Sequence, residues 1–233
     1  VLLLAFFAIV YACFRKAFYA APRKPVPSDV IDIPEGEIYE VFREPMERWT
    51  REIRQMPHEE FSITSHDGLK LYGNYYEYAP GAPIELMFHG YRGSAERDLA
   101  GGVQRCFGVG RSALLVDQRC SGRSDGNVIT FGIKERYDVQ SWANYIAERF
   151  GEDTKIYLYG ISMGAATVVM SRTLSLARGV AANPREYGFI LINSRALPAI
   201  PLTQAVVTIR ADADADAVQA AIEAALPDAL VLN

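Results

Sequence analysis

A strand, a five-residue turn and a helix follow one another without spare residues in the middle of this 233-residue chain. Ile156 to Tyr159 is apolar, Gly160-Ile161-Ser162-Met163-Gly164 comes next, and Ala165 to Leu176 is compatible with a helix. This order constrains the fold more than any other feature. Strand and helix nearly touch at such a turn, and only glycines leave the room. Ser162 would sit at a sharp, strained turn with its hydroxyl exposed. The start of the next helix would favour negative charge developing beside it.

The surrounding runs place that turn in a layered fold. Phe61 to Thr64 and Leu69 to Tyr78 flank Ser65-His66-Asp67-Gly68 and read as a β-hairpin, with Asp67-Gly68 supplying the positive φ of a tight turn. Ile84 to Phe88 and Ser112 to Val116 are further short apolar runs, ending at His89-Gly90 and at Asp117. Ile133, Tyr137, Trp142, Ile146 and Phe150, mostly four apart, predict a helix over Ile133 to Phe150. Met46, Trp49 and Ile53 predict a short amphipathic helix after Pro45 that packs on the domain edge. Gly101-Gly102 reads as a helix start and Gly108-Val109-Gly110 as a helix-to-strand turn. Apolar strands alternating with helices mean an α/β fold, a mostly parallel sheet covered on both faces.

Two more loops follow apolar strands. His89-Gly90-Tyr91-Arg92-Gly93 can aim a backbone N–H at a substrate carbonyl oxygen, and Tyr91 is the expected donor. With the N–H of Met163 it would form a two-donor oxyanion hole. The other loop is Asp117-Gln118-Arg119-Cys120-Ser121-Gly122-Arg123-Ser124. Together, H-G-x-x-G, a D-x-R loop and G-x-S-x-G in this order resemble the α/β-hydrolase superfamily, in particular its serine aminopeptidase-like and prolyl-oligopeptidase-like branch. The resemblance runs from about Glu60 to about Arg172 and extends to membrane-anchored bacterial members. Cys120 stands where that pattern usually has glycine. No histidine or elbow accompanies Cys120, which is not expected to be a nucleophile.

The resemblance implies an α/β-hydrolase-type sheet lacking its last strands, and a serine hydrolase that cleaves an ester, thioester or peptide-like substrate with Ser162 as nucleophile. It implies no metal and no organic cofactor. It also implies an acid and a histidine after the serine, and no histidine follows Ser162. His58 precedes the first strand, His66 lies in the hairpin turn, and His89 is expected to hydrogen-bond its own loop. Histidine and acid are therefore not found, and the chain as given is expected to be inactive. The competing reading is a non-catalytic α/β-hydrolase-fold binding protein tethered to a membrane. A nucleotide-binding protein is a third and weaker reading, because no phosphate-binding glycine motif is well placed.

The chain divides into a hydrophobic anchor segment (1–19), a proline-containing linker with a short helix (20–58), the α/β-hydrolase core (59–172) and a divergent or truncated C-terminal part (173–233). Within the last part, Tyr187 to Asn193 and Val206 to Ile209 read as strands and Val218, Ile222 and Leu226 as a helix stripe. Asp212, Asp214, Asp216 and Asp228 read as a solvated helical face. Val1 to Phe14 is uncharged and closes at Arg15-Lys16, the pattern of a membrane anchor, a signal-peptide core or a buried helix. The lack of an A-x-A-like site after it favours the anchor. The basic residues that follow favour a cytoplasmic globular part by the positive-inside rule, and the opposite orientation stays open should residues upstream carry more positive charge. A net charge of −4 gives no basic face for nucleic acid, and three scattered cysteines give neither a disulfide framework nor a zinc site.

Overall fold

Burial alternates in the first two strands and is unbroken in the next two, and that difference sets the architecture. The computed structural model describes residues 2–21, 26–27 and 29–171. The strands and helices expected at 187–193, 206–209 and 218–226, and the four aspartates from Asp212 to Asp228, lie outside them.

Three helices come first: Leu2–Ala17 (α1), the single turn Glu37–Glu40 (α2) and Arg43–Gln55 (α3). Glu59–Thr64 (β1) and Lys70–Tyr76 (β2) form the expected hairpin, paired from Glu59↔Tyr75 to Thr64↔Lys70, with Gly68 at φ 88° in the turn. Ile84–Phe88 (β3) leads through Ala95–Gly108 (α4) to Ser112–Val116 (β4), and both strands are buried at every position. A long loop and Glu135–Phe150 (α5) lead to Ile156–Gly160 (β5), which turns into Met163–Ser171 (α6).

The strand order is β1-β2-β4-β3-β5. β2 runs against both of its neighbours, whereas β3, β4 and β5 are parallel. From β3 the chain steps to one side through α4 to form β4, then crosses back through α5 to form β5 on the other side. That reversal places α4 and α5 on opposite faces and makes the carboxyl ends of β3 and β5 the switch point of the sheet.

Each face has its own core. Leu86, Phe88, Leu114 and Val116 meet Val139, Trp142 and Ile146 of α5, together with Phe61 and Tyr75 of the hairpin. Met87, Ala113 and Leu115 point the other way, onto Leu99, Val103 and Cys106 of α4, with Ile53 and Trp49 of α3 behind them. The helix predicted after Pro45 thus packs where expected, beginning slightly earlier at Arg43.

Two expectations need correction. Gly101-Gly102 lies in the middle of α4 and not at its start. The reason is packing: a Cβ on Gly101 would come within 2.7 Å of the Trp49 ring, and one on Gly102 within 2.3 Å of Met87 Cε. The pair lets α4 approach both α3 and the sheet. The long helix starts at Glu135, not Ile133, because the Glu135 carboxylate turns back to the preceding loop. It accepts the Thr130 N–H and hydroxyl and the Gly132 N–H, at 2.8, 2.6 and 2.8 Å. Ile133 is left exposed in that loop.

Candidate active site

Parallel strands deliver their following loops to one end of the sheet, so the three loops singled out in the sequence meet there. β5 ends at Gly160, Ser162 takes φ 53°, and α6 begins at Met163. The crossing is close. A Cβ on Gly160 would lie 2.4 Å from the Gly164 backbone, and one on Gly164 would lie 2.2 Å from the Phe88 carbonyl oxygen. No side chain fits at either place. Ser162 is exposed, and its carbonyl accepts the N–H groups of Ala165 and Ala166 at 3.0 and 3.2 Å as the helix starts.

The His89–Gly93 loop comes against this turn. A Cβ on Gly90 would be 3.6 Å from the Ser162 Cβ, so Tyr91 is one residue from the contact. Among the described residues the N–H groups of Tyr91 and Met163 have no protein acceptor. The Gly90 N–H donates to Asp98 Oδ2 at 3.0 Å, and Arg92 adopts φ 54°.

His89 takes the structural place expected of it. Nδ1 lies 2.7 Å from the Gly90 carbonyl, and Nε2 accepts the Gln118 N–H at 3.0 Å. That pairing fixes the neutral tautomer with the proton on Nδ1. The Gln118 amide donates to the His89 carbonyl at 2.5 Å and accepts the Thr167 hydroxyl at 3.0 Å. One buried amide therefore joins the His89 loop, the Asp117 loop and the helix after Ser162. Motif spacing carries no sign of this link.

Charge organises the Asp117–Ser124 loop. Asp117 accepts the Ala95 N–H at 2.9 Å and the Arg123 N–H at 3.2 Å, which ties the loop to the start of α4. Arg119 is buried and makes bidentate contacts with Asp138 (2.7 and 2.7 Å) and Asp67 (3.0 and 3.1 Å). Hydrogen bonding to Arg119 holds the Asp67 carboxyl well below the usual carboxylate range. Burial raises that of Asp138, against the pull of the same guanidinium. His66, Asp67 and Asp138 stand close enough to share a metal ion, but both carboxylates are already committed to Arg119. Cys120 adopts φ 67°, a conformation glycine takes at no cost, and burial pushes its thiol up to about 11, away from thiolate chemistry at neutral pH.

Among the described residues, four non-glycine residues have positive φ: Arg92, Cys120, Phe131 and Ser162. All four lie in the loops at this end of the sheet. Such conformations cost about 1–3 kcal/mol each and persist only where their surroundings hold them, as at functional sites.

α1 also reaches this end. Tyr91 Oη donates to the Ala17 carbonyl at 2.8 Å, and Arg92 Nη2 donates to the carbonyls of Lys16 and Tyr19 at 2.8 and 3.2 Å. Tyr19 bridges Val128, flanked by bonds from Ala20 N–H to Asn127 O and from Ile129 N–H to Phe18 O, at 2.9 and 2.8 Å. Ala20 then packs on Cys120, Ile129 and Met163. α1 itself exposes Leu3, Leu4, Phe6, Phe7, Ile9 and Val10. Among the described residues no helix is long and apolar enough to cross a membrane.

No family model matches the chain. It is similar to a solved alpha/beta hydrolase from Penicillium sp. sh18, with 20% identity and a TM-score of 0.50, over 59% of this chain and 46% of that one. It is also similar to an esterase of Pyrococcus furiosus, with 24% identity and a TM-score of 0.49, over 55% of this chain and 52% of that one. The chain spans about half the length of these structures. The first likeness is one of fold, and the sheet and its helices have the α/β-hydrolase fold.

Proposed function

We propose that the chain belongs to the serine-hydrolase lineage, with Ser162 as the nucleophile of an acyl hydrolase acting on an ester, a thioester or a peptide-like amide. The strained Ser162 turn carries this reading: φ 53° at an exposed serine, at the switch point of the sheet, beside two N–H groups without a protein acceptor among the described residues. Ser162 Oγ would attack the acyl carbon, and the Tyr91 and Met163 N–H groups would stabilise the oxyanion, each worth about 3 kcal/mol of barrier. Expulsion of the alcohol, thiol or amine leaves an acyl-serine, which water hydrolyses.

Such a serine needs a base, and none of the three histidines is arranged as one. His89 has both ring nitrogens engaged, His66 sits in the hairpin turn 3.8 Å from Asp67, and His58 lies beside the Met56 carbonyl before β1. Turnover by this 233-residue chain is therefore expected to be low, since a general base contributes about 10²–10⁴ in rate. The same observation favours the second reading, a binding protein on a hydrolase fold. The exposed apolar side chains of α1, closed by Arg15 and Lys16, support a membrane-seated N-terminal segment in either case.

Intact-mass analysis after treatment with a fluorophosphonate tests the assignment. A single adduct that disappears in Ser162→Ala is expected, formed slowly because no base is in place. An adduct that survives that substitution overturns the assignment. No adduct on a cooperatively melting chain transfers the case to the binding protein.

A further inference from the structure

Four aromatic rings run without a break from α1 to Tyr91, in the loop whose Gly90 lies against the Ser162 turn. Phe14 stacks on Phe18 with centroids 5.8 Å apart, Phe18 meets Phe131 edge-on at 5.6 Å, and Phe131 stacks on Tyr91 at 5.1 Å. Each of the four residues is more than one-third exposed, at 40%, 39%, 41% and 36%, so the strip is packed ring to ring yet still open to solvent. It ends at Tyr91, next to the Gly90 backbone that lies against Ser162.

The strip is held from several directions. Phe131 has φ 52°, which phenylalanine rarely adopts, and buried Glu135 holds the residues on either side of it through the N–H groups of Thr130 and Gly132. The Phe18 carbonyl accepts the Ile129 N–H, while Tyr91 Oη is turned onto the Ala17 carbonyl. The one polar atom of the four side chains is thereby satisfied by protein and faces no ligand. The Arg92 guanidinium covers the Tyr91 ring at 5.2 Å, and what remains open is the apolar surface of Phe131, Phe18 and Phe14, which leads to the exposed apolar side chains of α1.

We propose that this strip is an acyl-chain subsite and that the substrate is the ester of a long-chain fatty acid, its chain laid along Tyr91, Phe131, Phe18 and Phe14 and its carbonyl carbon at Ser162. The proposal rests on Ser162 being the nucleophile. Rings without free polar groups reject a peptide backbone, whose N–H and C=O groups would lose water without compensation. A hydrocarbon loses nothing comparable, and each methylene fully buried tightens binding about fourfold. The strip leads away from Ser162 toward α1, so a chain held in a lipid layer at α1 would reach the site without crossing water.

Two measurements on the full chain test this. The first compares ethyl and dodecyl fluorophosphonate by the rate of Ser162 adduct formation. The dodecyl reagent is expected to react at least tenfold faster, and Phe131→Ala is expected to lower that preference at least fivefold. Phe18→Ala, at the exposed end of α1, gives the same readout should Phe131→Ala fail to fold. Phe6→Ala, far from the strip, should leave the preference unchanged. The second is a titration of the Ser162→Ala chain with 11-(dansylamino)undecanoic acid, which needs no reactive serine. Saturable binding that laurate displaces and butyrate does not is expected, weakened at least fivefold by Phe131→Ala.

Equal rates with both reagents, together with no saturable fatty-acid binding, overturn the subsite and leave Ser162 as the nucleophile. Chain-length-dependent binding without any adduct keeps the subsite and overturns the nucleophile. Equal weakening by Phe131→Ala and Phe6→Ala means that α1 merely coats itself with lipid, and overturns the subsite. Neither adduct nor binding overturns both.

Discussion

The two loops that flank Ser162 are fixed by opposite means. The Asp117–Ser124 loop is tied from within the domain: Asp117 grips the start of α4, and Arg119 is buried between a hairpin turn and α5. The His89–Gly93 loop is tied partly from outside, since exposed Tyr91 and half-buried Arg92 rest on carbonyls at the end of α1. One loop belongs to the sheet and its helices, whereas the other is shared with a helix whose exposed side chains are mostly apolar as far as Phe14. Rigidity and adjustability thus meet on either side of the proposed nucleophile.

Substitutions should separate the two kinds of anchoring. Arg119→Ala leaves two carboxylates without their shared guanidinium and is expected to cost about 3–5 kcal/mol in urea unfolding. A loss below about 1 kcal/mol would show that Asp67 and Asp138 find water or other partners at once. Gln118→Leu, which cuts the tie between both loops and α6, is expected to cost about 1–3 kcal/mol by the same measurement. Arg92→Ala should cost only about 1 kcal/mol, because its bonds to Lys16 and Tyr19 lie near the surface. Its signature is local: amide hydrogen exchange should quicken at Tyr91 and Gly93 but not between Asp117 and Ser124. Uniform quickening across both loops would erase the contrast.

The smallest expected effect concerns acid. Asp67 is held below the usual carboxylate range, so its contribution to stability is present above about pH 4, the unfolded value. It is lost as pH falls toward the lower folded value, where the native carboxylate also takes up its proton. The stability difference between the native chain and Arg119→Ala should therefore shrink below about pH 4, as chemical denaturation across pH 3–7 would reveal. A difference that stays constant would mean that Asp67 gains nothing from its partner.

The strands and the Ser162 turn were legible because each leaves a local mark. Unbroken apolar runs mean burial on two faces, and Gly160 and Gly164 bracket a crossing that admits no Cβ. Arg119 also stood out as a motif residue, but its partners did not. Asp67 and Asp138 lie 52 and 19 positions away, and no period or spacing connects them. Phe131 and Cys120 hid their positive φ because neither is the residue that signals it. The docking of α1 was invisible for a plainer reason: its acceptors are the backbone carbonyls of Lys16, Ala17 and Tyr19, which carry no residue identity. Gly101-Gly102 misled because a glycine pair suggests a break, whereas here it makes room for Trp49 and Met87.

The chain has two tryptophans, and the sheet separates them. Trp49 lies over Gly101 on the α3–α4 face, while Trp142 of α5 is fully buried against the other. Replacing either one by phenylalanine leaves a single intrinsic fluorophore on one side of the domain. The two layers become optically distinguishable without any added dye. Coincident emission changes during unfolding would mark the two faces as one cooperative unit, and staggered changes would give the order in which they come apart.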